Sequence, residues 1–221
     1  MKFLILAIFT LCTVLARAYV VPVYRDLKPA TQAMLEKQAF GAPIAALATR
    51  VKAAGYAGAT SASAVTLSSF DAQPDVPRNI TITPGGTTAD VNTCVIVVNG
   101  TNFYGAAISE NFSFAAAAST ATVGSKAFKT VSSVVFPASC EQGGFAATWS
   151  IGVGSKIGLK SCMANAGDWF QSEVAGVYES TRATIANSAS AVESNTATFN
   201  GTMNGSSQFI GYYVQNFVCH P

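Results

Sequence analysis

The strongest constraint on the fold is a series of short β-forming segments that runs through residues 74–159 and is separated by Gly, Pro and Asn. Ile80 and Ile82 alternate with threonines, as in a strand with one buried face. Residues 94–98 are almost continuously apolar, which is typical of a strand in the middle of a sheet. Turn signals recur about every 8–12 residues. We therefore predict an all-β domain over residues 64–221, either an antiparallel sandwich or a jelly-roll-like barrel.

Three glycine-containing stretches in this region predict turns. Residues 84–86 follow a predicted strand, and residues 99–100 form an Asn-Gly pair that is typical of a tight hairpin turn. Residues 152–158 contain three spaced glycines, which predict a further turn.

The first 18 residues have the pattern of a secretory signal peptide. Lys2 provides a minimal basic region, residues 3–15 are apolar, and residues 16–18 fit a small-x-small cleavage site. The apolar run is shorter than the roughly 20 residues that a transmembrane helix needs. A membrane anchor and an amphipathic first helix are the alternatives. The pattern favours cleavage after Ala18 and a secreted, extracellular protein.

We predict a short helical segment and a linker in residues 19–63. Pro29 suits a first helical turn, and apolar residues at positions 34–39 recur at helical spacing. A second helix is predicted over residues 43–54, with Gly55 as its C-terminal signal. Three arrangements stay open: the helices pack on the β-domain, associate with another copy, or belong to a pro-region that is removed after secretion.

The cysteines predict disulfides. Cys12 lies in the predicted signal peptide, which leaves Cys94, Cys140, Cys162 and Cys219, an even number in an exported chain. Three pairings are possible, and we predict Cys140–Cys162 and Cys94–Cys219, the second because it would tie the last strand to a central one. A zinc site is the alternative, but no C-x-x-C spacing occurs. We therefore predict neither a metal nor a cofactor.

Composition limits the classes of partner. Only 11% of the residues are charged, against a usual share of roughly 25%. No Lys/Arg cluster occurs, which argues against a nucleic-acid-binding protein. Removal of Lys2 and Arg17 with the signal peptide lowers the formal net charge from +2 to about zero, which gives no electrostatic steering toward anionic partners. Five N-x-S/T sequons are candidate glycosylation sites: Asn79, Asn99, Asn111, Asn200 and Asn204.

The residues that could carry catalysis are scattered. Glycoside hydrolysis needs two carboxylates across a cleft. The candidates lie in no recognisable motif: Glu110, Asp168, Glu173, Glu179 and Glu193. The single histidine, His220, follows a cysteine that we predict to be oxidised, so it is a poor general base for a nucleophile. The glycines before Ser155-Lys156 lack the spacing of a phosphate-binding loop.

Aromatic residues offer a second kind of site. Four of them could form a platform on which sugars stack: Trp149, Trp169, Tyr212 and Tyr213. We favour packing in the core or on the sheet surface for these rings.

Five blocks in order resemble a family of small virion structural proteins of tailed bacteriophages. The blocks are residues 74–79, 99–102, 126–131, 152–159 and 191–196. The resemblance covers about residues 65–214 and implies a β-rich structural protein that assembles with other chains and has no enzymatic activity. Ser155 stands where that family often has Asp. The cysteines and the signal peptide are foreign to a protein that assembles inside a bacterium, so the resemblance implies a phage-type domain adapted to secretion.

We therefore predict a secreted, non-enzymatic structural or surface-interaction protein, with no nucleic-acid partner and no membrane span after signal removal. Its partner would be a protein or a cell surface. Self-association is also expected, because few surface charges keep its edge strands apart. A carbohydrate-binding or adhesive module is the second hypothesis, and a secreted hydrolase is the third.

Overall fold

A computed structural model describes residues 34–56, 64–141, 146–216 and 219. The predicted signal peptide, residues 19–33, the linker at residues 57–63 and His220 lie outside the described residues. Fourteen strands are described: Met34–Gly41 (β1), Leu47–Tyr56 (β2), Val65–Leu67 (β3), Arg78–Gly86 (β4), Cys94–Thr101 (β5), Ala107–Phe114 (β6), Thr122–Phe128 (β7), Thr130–Phe136 (β8), Ala147–Gly158 (β9), Trp169–Val174 (β10), Val177–Tyr178 (β11), Thr184–Ala186 (β12), Thr196–Thr198 (β13) and Phe209–Gln215 (β14). Three single-turn 3-10 helices accompany them: Thr88–Asp90, Ala166–Asp168 and Val192–Ser194.

The strands form three antiparallel sheets. Sheet A has the order β1-β14-β10-β11, and sheet C has the order β3-β8-β5-β6. Sheet B has the order β12-β13-β9-β4-β7, and β2 also pairs with β9. The predicted all-β class and a sandwich-like arrangement are therefore confirmed. None of the helices in the described ranges is long and apolar enough to cross a membrane.

Two apolar cores lie between these sheets. The larger core is formed by strands of sheets B and C and contains Trp149, whose ring packs edge-on against Phe114 with the ring centroids 5.0 Å apart. The smaller core is formed by sheets A and B and contains Trp169, which stacks on Tyr213 at 5.6 Å. Each core places one tryptophan at its centre, and burial of large aromatic rings is a main source of stability in such domains.

The two predicted helices are wrong where the structure describes them, because Met34–Gly41 and Leu47–Tyr56 are strands and residues 42–46 are a connection between them. Residues 29–33, where the first helix was predicted to begin, lie outside the described residues. β1 pairs with β14, and Gln38 and Phe40 are buried with the spacing of two that a strand requires. Gln38 is fixed by the hydroxyl of Tyr213, which donates to its Oε1 at 2.7 Å. Pairing and burial therefore override the helix propensity of these two segments.

Two predicted turns are also strands. Residues 84–86 end β4 and pair with residues 147–149 of β9. Gly100 lies within β5, where a Cβ atom would stand 2.0 Å from the carbonyl oxygen of Thr130, so only glycine allows this approach. The hairpin turn falls instead at residues 102–106, closed by the bond from the Asn102 amide to the Ala106 carbonyl.

The glycines of residues 152–158 lie inside β9 because neighbouring chains approach it closely. A Cβ atom at Gly152 would be 2.2 Å from the carbonyl oxygen of Leu47, and one at Gly154 would be 2.4 Å from the side chain of Asn79. β9 pairs with β4, β2 and β13. Glycine in the interior of a strand therefore marks close backbone approach here and not a turn.

A fully buried arginine joins β4 to its surroundings. Arg78 is 0% exposed, and its Nε donates to the carbonyl of Gly154 at 2.9 Å. Its Nη1 donates to the carbonyl of Ile44 at 2.8 Å and lies 3.1 Å from the Asp75 carboxylate. The second oxygen of Asp75 accepts the amide of Ile44 at 2.8 Å. The pair thus fixes the entry to β2 against β9.

Glu110 closes the junction between sheets B and C. β6 and β7 are edge strands of sheets C and B. The carboxylate of Glu110 on β6 accepts the amide of Ser125 at 2.6 Å and its hydroxyl at 2.7 Å, and it also accepts the amide of Lys126. An inward-pointing charge thus occupies amides that an exposed edge would offer to another chain.

Candidate functional site

Four of the cysteines form two disulfides, as predicted, but the predicted pairing is wrong. Cys94 is bonded to Cys140 and Cys162 to Cys219, with Cα–Cα distances of 5.0 and 5.9 Å. The two bonds close loops with sequence separations of 46 and 57 residues. Each contributes about 4 kcal/mol in the chain-entropy model.

Backbone pairing explains which cysteines meet. An isolated bridge joins Val91 to Glu141, which places residue 140 beside the start of β5. A second bridge joins Cys162 to Asn216, which places residue 162 beside the end of β14. Both contacts are long-range, so cysteine spacing alone does not reveal them.

The five sequons differ in their accessibility. Asn79 is fully buried, and its amide is engaged at both ends, by the Gly124 carbonyl at 3.2 Å and the Lys156 amide at 2.9 Å. Asn99 is half-buried and donates to Ser133 Oγ at 3.1 Å. The other three are exposed: Asn111, Asn200 and Asn204. The folded domain therefore leaves no space for a glycan on Asn79, and glycosylation of the exposed three stays a prediction.

The carboxylates considered for catalysis each hold a different contact. Glu110 accepts hydrogen bonds from the backbone of β7, Asp168 from the amide of Asn165, and Glu179 from the amide of Gly201. Glu173 accepts a hydrogen bond from the hydroxyl of Tyr212, and Glu193 forms an ion pair with Lys126. Among the contacts of the described residues, none joins two of these carboxylates. Each one therefore stabilises local structure.

The four aromatic residues pack in the core or on a sheet surface, as favoured above, and do not form the alternative sugar-stacking platform. Trp149, Trp169 and Tyr213 are buried in the two cores. Burial holds the pKa of the Tyr213 hydroxyl well above its ordinary value of 10.0. Only Tyr212 lies on an outer surface, at intermediate exposure.

Tyr212 belongs to the outer face of sheet A, which we call the tyrosine face. Alternation along β14 turns Phe209 and Tyr213 inward and their neighbours outward. In the registers of the sheet, three cross-strand rows share this outer face: Leu35–Val214, Lys37–Tyr212–Gln171 and Ala39–Ile210–Glu173–Tyr178. Leu35 is 63% exposed and Tyr178 is 55% exposed. Solvent therefore reaches apolar and aromatic groups at both edges of the face.

The centre of the tyrosine face is electrically balanced. The hydroxyl of Tyr212 donates to Glu173 at 2.9 Å, and the ammonium of Lys37 lies 5.6 Å from the centroid of the same ring. The ring of Tyr178 lies 6.1 Å from that of Tyr212. One cation and one anion thus hold the central ring, and the face has no excess charge to attract an ionic partner.

A cleft of about 270 Å³ lies on another part of the domain. Its lining consists of Asn102, Tyr104, Ala106, Ser190, Val192, Glu193 and Cys219. One wall is the β5–β6 turn, which Asn102 builds by accepting the amides of Tyr104 at 3.0 Å and Ala106 at 3.1 Å through Oδ1. Gly105 completes this turn with a φ of +86°.

The opposite wall is fixed by a buried asparagine. Asn195 donates to the carbonyls of Ser188 at 2.9 Å and Ala191 at 2.8 Å, and its Oδ1 accepts the amides of Ser188 and Met163 at 2.9 Å. These bonds hold the segment that carries Ser190 and Glu193. Since Cys219 is bonded to Cys162, a disulfide forms the remaining side. The cleft is thus built from parts that are each fixed.

The tyrosine of the cleft is held in one orientation. The hydroxyl of Tyr104 donates to the carbonyl of Lys160, and its ring contacts Phe103 edge-on at 5.3 Å. Burial raises the pKa of the Tyr104 hydroxyl; Lys160 opposes this effect and Glu36 adds to it. The hydroxyl therefore stays protonated at neutral pH, as its donor role requires.

The sequence singled out Glu193 and Cys219 for other reasons, but it did not predict that the residues of this cleft lie together. Asn102 belongs to one of the blocks that resemble virion proteins, and nothing in the sequence around Tyr104 indicates a role. A signal was present, because an asparagine three residues before Gly105 is typical of a turn in which the side chain binds the backbone. The opposite wall has no local signal, since long-range bonds of Asn195 position it.

Comparison of the chain with models of protein families, with curated proteins and with solved structures found no match. The class that can be stated is therefore a disulfide-bonded, all-β domain of sandwich-like architecture. The resemblance to virion structural proteins stays a prediction.

Proposed function

We propose that the protein is a secreted, non-enzymatic structural or surface-interaction domain that contacts a protein partner at a cell surface through the tyrosine face. The observation that carries the proposal is the exposure of Leu35 and Tyr178, at 63% and 55%, on one face of a peripheral sheet. Exposed aromatic and aliphatic groups around a polar centre are the composition from which binding surfaces are built.

Two further observations support the proposal. The two disulfides are compatible with an extracellular protein. The carboxylates that a hydrolase would need are engaged separately in structural contacts, as described above. The resemblance to virion structural proteins also implies contact with other chains, so it favours binding over turnover.

Substitutions on the tyrosine face test this function. Binding of the purified mature protein to a cell-surface fraction is measured for the wild type, Leu35→Ser and Tyr178→Ala. We expect roughly tenfold weaker binding for each, because both remove exposed apolar contact area. Val123→Ser is the matched control, since Val123 is 56% exposed on β7 in another sheet.

Two results would contradict the proposal. The first is unchanged binding of both face variants, or an equal loss in the Val123→Ser control. The second is turnover of a glycan, ester or peptide substrate by the wild type, which would restore the hydrolase hypothesis. Sedimentation velocity on the same samples separates self-association from binding to another protein.

A further inference from the structure

We infer that the cleft between the β5–β6 turn and the 3-10 helix Val192–Ser194 is a binding site for a single neutral sugar residue. This site is distinct from the tyrosine face and makes use of other residues. Its volume of about 270 Å³ lies just below the range of about 300–1,000 Å³ that is usual for drug-sized ligands. A ligand of one ring therefore suits it better than a large cofactor.

The first argument is an unused donor. Asn102 is only 7% exposed, and its Oδ1 is occupied by the two amides of the turn. Its Nδ2 carries two N–H groups and makes no hydrogen bond to any described residue. Solvent in the cleft still reaches this atom, since the buried side-chain atoms without a partner among the described residues belong to Thr81, Thr83, Glu141 and Glu179. A ligand hydroxyl that accepts from Nδ2 would take the place of that solvent.

The second argument is a largely buried acceptor in the same cleft. The carboxylate of Glu193 lies in the lining, and its side chain is only 15% exposed. One of its oxygens lies 3.8 Å from the ammonium of Lys126, which leaves the other oxygen to accept from a ligand. A sugar hydroxyl both donates and accepts, so neighbouring hydroxyls can use the donor of Asn102 and the acceptor of Glu193.

The third argument is the aromatic wall. Tyr104 is 38% exposed, and its ring is held by the hydrogen bond to Lys160 and the contact with Phe103. A ring that is already fixed loses little conformational freedom when a ligand packs on it. The C–H groups of a pyranose can pack on such a face while its hydroxyls reach the polar groups.

The charge in the cleft selects a neutral ligand. Glu193 is the acidic group of the lining, and Lys126 balances it. A phosphate or carboxylate ligand would be repelled by the negative charge of Glu193. A cationic ligand would compete with Lys126 for that same carboxylate. A neutral, hydroxyl-rich ring meets neither penalty.

The experiment is a titration followed by nuclear magnetic resonance. Mature protein, labelled with 15N and free of attached glycans, is titrated with a panel of neutral methyl pyranosides to millimolar concentrations. We expect saturable shifts of the Asn102 side-chain amide and of the Tyr104 backbone amide with at least one sugar. Asn102→Asp keeps the Oδ1 that builds the turn but removes both N–H donors. It should weaken binding at least about tenfold, as should Glu193→Gln.

A matched control separates the loss of the Asn102 N–H donors from the general effect of an Asn→Asp substitution on folding. Asn204→Asp makes the same change in an exposed turn where Oδ1 also accepts two amides, from Ser206 and Ser207, and it should bind as the wild type does. Tyr178→Ala should also bind normally, because the tyrosine face is a separate surface. The inference is overturned if no sugar gives saturable shifts, or if folded Asn102→Asp and Glu193→Gln bind like the wild type. Loss of sugar binding in Tyr178→Ala would place the site on the tyrosine face and would equally overturn it.

Discussion

Removal of the Asp75 carboxylate should destabilise the domain more than removal of any exposed charge. Arg78 is fully buried, and the side chain of its partner Asp75 is 16% exposed. Asp75→Ala leaves the guanidinium without its counter-charge and also removes the acceptor of the Ile44 amide. Breaking a buried pair in this way costs about 3–5 kcal/mol. Since a domain is stable by about 5–15 kcal/mol in total, this loss is a large fraction.

Urea unfolding followed by tryptophan fluorescence measures the loss. With a slope of about 1–3 kcal/mol per molar urea, the midpoint should fall by at least about 1 M. Asp71→Ala is the control, because Asp71 forms a 3.0 Å pair with Lys52 at the surface, where ion pairs contribute little. Its midpoint should move far less.

A double variant tests the cause. Arg78→Met in the Asp75→Ala background removes the uncompensated charge, so it should recover part of the lost stability. The reasoning is refuted if Asp75→Ala unfolds at the same urea concentration as Asp71→Ala. It is also refuted if the two substitutions in the double variant simply add.

Three further predictions follow from single positions. Gly211→Ala should lower the free energy of unfolding in urea by about 1–3 kcal/mol, because its Cβ atom would lie 2.2 Å from the indole of Trp169. Gly167→Ala is the control and should have little effect, because no atom lies within 4 Å of its Cβ atom. Stability should fall as the pH rises above 10.0, because the unfolded phenol ionises there while burial keeps Tyr213 protonated; Tyr213→Phe should reduce this slope, and the part that remains includes Tyr104, whose pKa burial also raises. Expression in a glycosylating host followed by peptide mapping should find glycan on Asn111 and none on buried Asn79.

The parts of the fold that local pattern controls were predictable. Along β6, Phe112 and Phe114 are buried while Asn111 and Ser113 are exposed. This alternation of apolar and polar residues is typical of a half-buried strand and is visible in the sequence. Pro137 follows the last residue of β8, as expected of a residue that cannot continue the ladder.

The remaining parts depend on contacts between distant residues. Met34–Gly41 has the composition of a helix but lies in a sheet because β14, at the other end of the chain, pairs with it. The sequence around Gly152 is typical of a turn, but glycine is needed there because the backbone of Leu47 packs closely against it. For the same reason the cysteine pairing and the wall of the cleft held by Asn195 could not be predicted.

The position of β9 has a consequence for how the chain folds. β9 pairs with β2 and β4, which precede it, and with β13, which follows it. β2 begins at Leu47 and β9 at Ala147, so β2 can pair with β9 only after about a hundred further residues have been synthesised. Sheets closed by such distant pairings fold on a timescale of milliseconds to seconds. Until β9 has been synthesised, the edges of β2 and β4 that pair with it stay unpaired. The newly made chain is therefore most prone to aggregate during that time.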